Sequence, residues 1–262
     1  MKRTLITPNF DDYPAVYHPL LDGARLYDSS CSPEARVLYI EKDDGLYLKS
    51  APLGTLSREA DMTRFCHEKG FGTEVLDYHS EGERDWLLTA RVKGEDCTHA
   101  DYTSHPERLC DLTATLLREL HGADTAGCPI PDHTARYLSL AEHNYRHGLY
   151  DTSLFPDNWG YASADEAWQV VKSEGHLLKS DTMLHGDYCL PNIMLDDWRF
   201  SGFIDVGNGG VGDRHVDLFW GAWSLFFNLK TDRYRDRFFD AYGRDVIDLD
   251  MLRVVAACEV FG

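Results

Sequence analysis

The chain has 262 residues, 43% of them hydrophobic, which is enough to fill the core of one large domain or of two smaller lobes. Its 26 Lys and Arg stand against 44 Asp and Glu, a formal net charge of −18 that repels DNA and RNA over most of the surface and sets nucleic acid aside as a partner. No stretch approaches the roughly 18 uninterrupted apolar residues of a membrane span, the start Met1-Lys2-Arg3 is unlike a signal peptide, and seven scattered cysteines suit reduced thiols, so a cytoplasmic protein without a membrane partner is expected, a monomer or weak dimer.

Along the chain, Arg36-Val37-Leu38-Tyr39-Ile40, a turn at Asp43-Asp44-Gly45 and Leu46-Tyr47-Leu48-Lys49 read as a β-hairpin. Ser57, the expected cap, opens a helical run through Glu59, Met62, Phe65 and Cys66 that closes at Gly70, and Trp86 to Ala90 gives a further strand. From Pro106 the character changes, because Leu109, Leu112, Leu116 and Leu120 recur at helical spacing. Further helices are expected over Tyr137 to His147, Ala164 to Leu178 and Asp232 to Tyr242. The reading is therefore α+β, with a strand-rich lobe at 1–91, a mostly helical lobe at 92–262, and a connector at Arg91 to Gly94 that could serve as a hinge.

The segment that carries chemistry runs from Met183 to Leu195, with His185-Gly186-Asp187 and Asn192, followed after a hairpin by Asp205-Val206-Gly207. Phosphoryl transfer from ATP needs a carboxylate near the attacking hydroxyl and oxygen ligands that hold Mg²⁺ on the phosphates. Ile193-Met194 and Phe203-Ile204 flank the Asp196-Asp197 turn as two short strands, so folding the hairpin returns Asp205 to Asn192. The pair can then share metal while Asp187 accepts the substrate proton. Upstream, Lys49 closes a strand and Glu59 stands near a helix start, a cation for the phosphates with its carboxylate partner. No Walker loop and no glycine loop precede Lys49; Ser30-Cys31-Ser32-Pro33 stands in that place, as a phosphate-binding turn or an ordinary one.

On these motifs the sequence resembles the aminoglycoside 3'-phosphotransferases, a family with a two-lobed protein-kinase-like fold. Leu46-Tyr47-Leu48-Lys49, Ser57 to Met62, Leu120-His121 through Cys128-Pro129, His185-Gly186-Asp187 with Pro191-Asn192-Ile193, and Ser201 to Asp205 carry the likeness. The resemblance implies a small antiparallel-sheet lobe with one helix and a larger helical lobe. It also implies ATP and two Mg²⁺ ions as cofactors: Lys49, held by Glu59, on the phosphates; Tyr47 stacked on adenine; the backbone from Ala90 to Val92 at the adenine edge; Ser32 over the phosphates. Asn192 and Asp205 become the metal ligands, Asp187 the catalytic carboxylate, and Asp217 the brace of its loop.

The acceptor side departs from the family pattern. Asn208 stands where an arginine is usual, and the helix after Asp217 carries Trp223, Phe226, Phe227 and Asn228 in place of charged residues. The loop with Asp157 lacks the usual run of carboxylates, while Glu259, near the end beside Phe261, is an expected ammonium partner. Asp187, Glu259, Phe261, Asn208, Trp223, Phe227 and Asp157 are thus the candidate acceptor residues. The aromatic run Phe219 to Phe227 reads either as a core helix or as a surface that stacks on a sugar ring. His185 orders its loop or transfers protons. Kinase of another hydroxylated antibiotic or metabolite, and nucleotide-binding pseudokinase, are the competing functions.

Overall fold

The computed structural model describes residues 3–31, 33, 35–151 and 160–262. In chain order the strands and helices are β1 (Thr4–Ile6), α1 (His18–Leu21), β2 (Arg25–Asp28), β3 (Arg36–Glu41), β4 (Leu46–Pro52), α2 (Ser57–Glu68), β5 (Val75–Glu81), β6 (Arg84–Ala90) and β7 (Glu95–Asp96). There follow α3 (Ala100–Thr103), α4 (Pro106–His121), α5 (His133–His147), α6 (Ala164–Glu174), β8 (Thr182–Leu184), β9 (Ile193–Asp196), β10 (Arg199–Phe203), β11 (Gly210–Gly212), α7 (His215–Leu229), α8 (Arg235–Tyr242) and α9 (Leu249–Glu259). They form two compact units, Met1–Cys97 with Pro191–Gly207, and Thr98–Leu190 with Asn208–Gly262. The first unit therefore runs past residue 91 and takes in the Asn192 to Asp205 hairpin, because β7 pairs with β9.

The first unit is built on an antiparallel sheet in the order β1-β2-β3-β4-β6-β5. Side chains alternate along β4. Leu46 and Leu48 join Leu26, Leu38, Ile40, Trp86 and Leu88 in one cluster, which leaves Tyr47 and Lys49 on the other face, where Ala51 and Leu87 pack with Leu56 and Ala60 of the α2 region. Helix α2 starts at Ser57, but its cap is Leu56 and no side chain fills that role. Instead the Leu56 N–H donates to Oδ2 of Asp85 at 3.0 Å, and Asp85 is fully buried on β6. A tertiary carboxylate has replaced the local cap that Ser57 predicts.

Strands β9 and β10 close on a two-residue turn, with Asp196 opposite Arg199. Asp197 and Trp198 both take positive φ, 49° and 64°, the handedness that matches strand twist in tight hairpins.

The second unit is mostly helical. Its core joins α5, α6, α7 and α9 through Ala141, Ala167, Val171, Phe219, Val255 and Phe261. Helix α6 stops at Glu174, short of the expected Leu178, because Gly175 lies against Leu138 and a 3-10 turn takes over. Helix α5 starts at His133, α8 at Arg235, and α9 is a helix that the leucine spacing does not announce. Among the described residues no helix is long and apolar enough to cross a membrane.

Candidate active site

In the first unit the strand lysine and helix carboxylate meet as expected. Nζ of Lys49 donates to both Glu59 oxygens at 2.8 Å and to Oδ1 of Asp205 at 2.6 Å. Burial alone would lower the lysine, but Asp205 and Glu59 outweigh it and hold Lys49 above its ordinary range, charged. The Asp205 side chain remains 54% exposed. It sits at φ 59°, a left-handed conformation that aspartate tolerates and that clusters at functional sites.

The hairpin returns residue 205 to residue 192: the Ile204 N–H donates to the Asn192 carbonyl at 3.0 Å. The glycine of Asp205-Val206-Gly207 has a steric reason, since a Cβ there would stand 3.0 Å from Cβ of Glu59 and push the carboxylate away.

Tyr47 tilts on Tyr39 with ring centroids 5.1 Å apart, and its hydroxyl accepts from Arg3 at 2.8 Å. Ala90 is engaged on both sides, its N–H donating to Glu74 and its carbonyl accepting from the Thr73 hydroxyl. The Val92 side chain packs against Gly202. Ser32 and Asp157 lie outside the described residues.

In the second unit a buried carboxylate organises the loop that carries Asp187. Asp217 is fully buried; its oxygens accept from the His185 N–H at 2.7 Å, from the Gly186 N–H at 2.8 Å and from His121 Nε2 at 3.1 Å. Burial would raise this carboxyl, but the bonds from His121 and the backbone outweigh it, so Asp217 is held ionised below the usual range. His121 in turn meets the Tyr242 hydroxyl at 2.8 Å, which ties the loop to α4 and α8.

The Asp187 N–H donates to Nδ1 of His185 at 3.3 Å, a bond within the loop. Gly186 has φ 83°, and a Cβ there would fall 2.0 Å from the Asn208 carbonyl. No other residue fits that approach. Downstream, the Leu190 N–H donates to Oγ of Ser224 at 2.8 Å, and the Tyr188 hydroxyl donates to the Thr113 carbonyl at 2.7 Å.

Glu259 is buried, and its Oε1 accepts from the Tyr137 hydroxyl at 2.6 Å and from Trp220 Nε1 at 3.1 Å. Burial raises its carboxyl to about 7, with Asp187 adding to the rise. Trp223 stacks on Phe227 with ring centroids 4.9 Å apart, and Phe227 is 49% exposed. Asn208 is exposed at the end of a short 3-10 turn.

The Phe261 ring is fully buried, edge-on to Tyr145, Tyr150 and Trp168, and packs in the core of this unit. Sequence reasoning passed over Trp220 and Tyr137, whose bonds to Glu259 no local spacing signals. It also passed over His121 as the second partner of Asp217.

The family model of the phosphotransferase enzyme family matches residues 33–255. A protein of Lactococcus lactis subsp. lactis (strain IL1403), named "Probable aminoglycoside 3'-phosphotransferase", is 50% identical over 255 residues, 97% of this chain and 97% of its own length. The crystal structure of an aminoglycoside-3'-phosphotransferase of type VIII superposes with a TM-score of 0.78 at 23% identity, covering 97% of this chain and 99% of that one. An aminoglycoside phosphotransferase of Streptomyces rimosus in complex with ADP and streptomycin superposes with a TM-score of 0.70 at 22% identity, covering 86% of this chain and 90% of that one.

Proposed function

Because the chain belongs to the phosphotransferase enzyme family and, within it, to the aminoglycoside 3'-phosphotransferases, we propose that it moves the γ-phosphoryl group of ATP to the 3'-hydroxyl of an aminoglycoside antibiotic and so confers resistance. The observation that carries this reading is the charged Lys49 bridging Glu59 and Asp205. An ammonium fixed between two carboxylates is placed to donate to phosphate oxygens, and Glu59 keeps it oriented. In this reading, adenine is assigned to Tyr47 and to the backbone from Ala90 to Val92.

Asn192 and Asp205 offer an amide oxygen and an exposed carboxylate, a hard-oxygen pair that suits Mg²⁺. Two such ions, when bound, neutralise charge on the phosphates. Asp187 accepts the hydrogen bond of the acceptor hydroxyl, aligns it for in-line attack and takes its proton as the new O–P bond forms and ADP leaves. Asp217 holds that carboxylate in place through the His185 and Gly186 amides. The low-dielectric site around Asp217 makes this positioning rigid, so little reorganisation is left for the reaction itself.

The reading is tested by ATP consumption with kanamycin, with neomycin and with unrelated alcohols, and by mass spectrometry of the products. Consumption stimulated by the aminoglycosides, with a product heavier by one phosphoryl group, is expected; no stimulation by either drug overturns it. A kinase for another hydroxylated compound is the second reading, favoured by the aromatic residues Trp223, Phe226 and Phe227 on α7. Stimulation by such a compound alone would select it.

A further inference from the structure

Helix α5 packs Leu138, Ala141 and Tyr145 into the core of the second unit. Two histidines lie off that stripe. His143 and His147 are both exposed and stand four residues apart, so the helix sets one above the other on a single face. Their rings stack with centroids 4.2 Å apart and 30° between the planes. The charges beside them are already matched, since Arg146 pairs with Glu142.

One hydrogen bond settles which nitrogen of His147 is available. Its Nδ1 lies 2.7 Å from the His143 carbonyl. A carbonyl oxygen only accepts, so the neutral ring carries its proton on Nδ1 and its lone pair on Nε2. Metal-binding histidines are held in this manner, one ring nitrogen donating to a backbone carbonyl while the other ligates. Two histidines at this spacing on one helix face are also the pair through which H-E-x-x-H helices bind zinc. Here the segment is His143-Asn144-Tyr145-Arg146-His147, which has the ligand spacing without the glutamate that serves a metalloprotease as base.

Packing does not account for the pair, because neither ring belongs to the core and, among the described residues, neither imidazole bonds to another side chain. The surroundings favour a cation. Both residues lie in the last turn of α5, at the negative end of the helix dipole, on a chain of formal charge −18. Imidazole nitrogens suit zinc, nickel and copper, whereas magnesium prefers oxygen. Among the described residues no group of three or more His, Cys, Asp or Glu is placed to hold a metal ion. A site here therefore has two protein ligands, with water in the remaining positions.

We propose that His143 and His147 together bind one divalent transition-metal ion of the zinc, nickel and copper group on the surface of α5. The ion joins the start of the last turn to its end. That turn is where the helix closes: Gly148 takes a φ of 66°, the Leu149 N–H returns to the Asn144 carbonyl at 2.9 Å, and Tyr150 packs edge-on against Phe261. An ion that needs both histidines binds only the wound turn, so it stabilises the folded state by mass action. The site makes no use of the residues assigned to phosphoryl transfer.

The test takes protein without an affinity tag, stripped of metal by a chelator, and compares His143→Gln and His147→Gln with the unaltered chain in calorimetric titration with Ni²⁺ and with Zn²⁺. Both positions are exposed, and unfolding midpoints without metal show that each variant keeps the fold. Binding of one ion is expected to weaken at least about tenfold in each variant. Zn²⁺ should raise the unfolding midpoint of the unaltered protein and leave both variants unmoved.

No binding by the unaltered protein overturns the site. Affinity that survives in either variant overturns it too, since the ion is then held by other groups. Loss of affinity in both variants without a Zn²⁺-dependent midpoint in the unaltered protein overturns the clamp on the last turn.

Discussion

The candidate nucleotide site and the candidate acceptor site are built from opposite materials. In the first unit Lys49 lies within 2.8 Å of two carboxylates, with charge as the working property of the group. In the second, the candidate acceptor wall holds one buried carboxylate whose oxygen is shared by a tyrosine and a tryptophan, beside stacked rings. A phosphate chain is the same in every kinase, so the groups that meet it are few and recurrent in type. An acceptor differs from one kinase to the next, and burial and ring stacking can replace charge there without touching the transfer chemistry.

The sharpest break in that comparison is Asp187→Ala. Turnover should fall by at least about 10²-fold while ATP still binds, because a positioned carboxylate is lost and no nucleotide ligand is. Near-normal rates in single-turnover kinetics would remove Asp187 from its role.

Next comes Asp217→Ala, which leaves the amides of His185 and Gly186 and the His121 ring without their acceptor. A stability loss of about 2 kcal/mol is expected in denaturant titration, together with reduced turnover. A variant as stable as the parent would mean that the loop is held by other contacts.

Lys49→Met sharpens the division between the two sides. It should raise the KM for ATP about tenfold and leave kanamycin affinity unchanged in calorimetry. An equal effect on both ligands would contradict the assignment of Lys49 to the nucleotide.

The smallest effect belongs to Glu259. Its carboxyl is raised from 4.5 to about 7 by burial, so the folded state retains a proton that the unfolded chain has released. The stability contributed by the protonated form is complete below the unfolded value and is lost as pH rises through about 7. Glu259→Gln keeps an acceptor for Tyr137 and Trp220 but cannot ionise. The variant should therefore gain on the parent between about pH 5 and about pH 8, and parallel stability curves over that range would refute the raised carboxyl.

What the sequence discloses follows the same line. The hairpin over Tyr39 and Tyr47, the strand ending at Ala90 and the helix through Leu109, Leu116 and Leu120 are legible because alternation or helical spacing is local. Lys49 and Glu59 are legible only because the H-G-D and D-x-G segments downstream give a strand lysine and a helix carboxylate a shared purpose. Ser57 misleads as a cap, since the acceptor that matters is Asp85, far along the chain and buried by the sheet.

The burial of Phe261 is hidden for a related reason. Only the packing of Tyr145, Tyr150 and Trp168 encloses its ring, and those residues are distant along the chain. The short strands β8 and β11, with little more than Thr182-Met183-Leu184 and Gly210-Val211-Gly212 to announce them, exist because they pair with each other, which no window along the chain can detect.

Helix α7 divides its contacts by face. Residues 217, 221 and 224 turn to the loop that carries Asp187, whereas 220, 223 and 227 pack on one another about a quarter-turn away. Exchanging one ring for another at 223 or 227 therefore leaves the bonds that hold that loop intact.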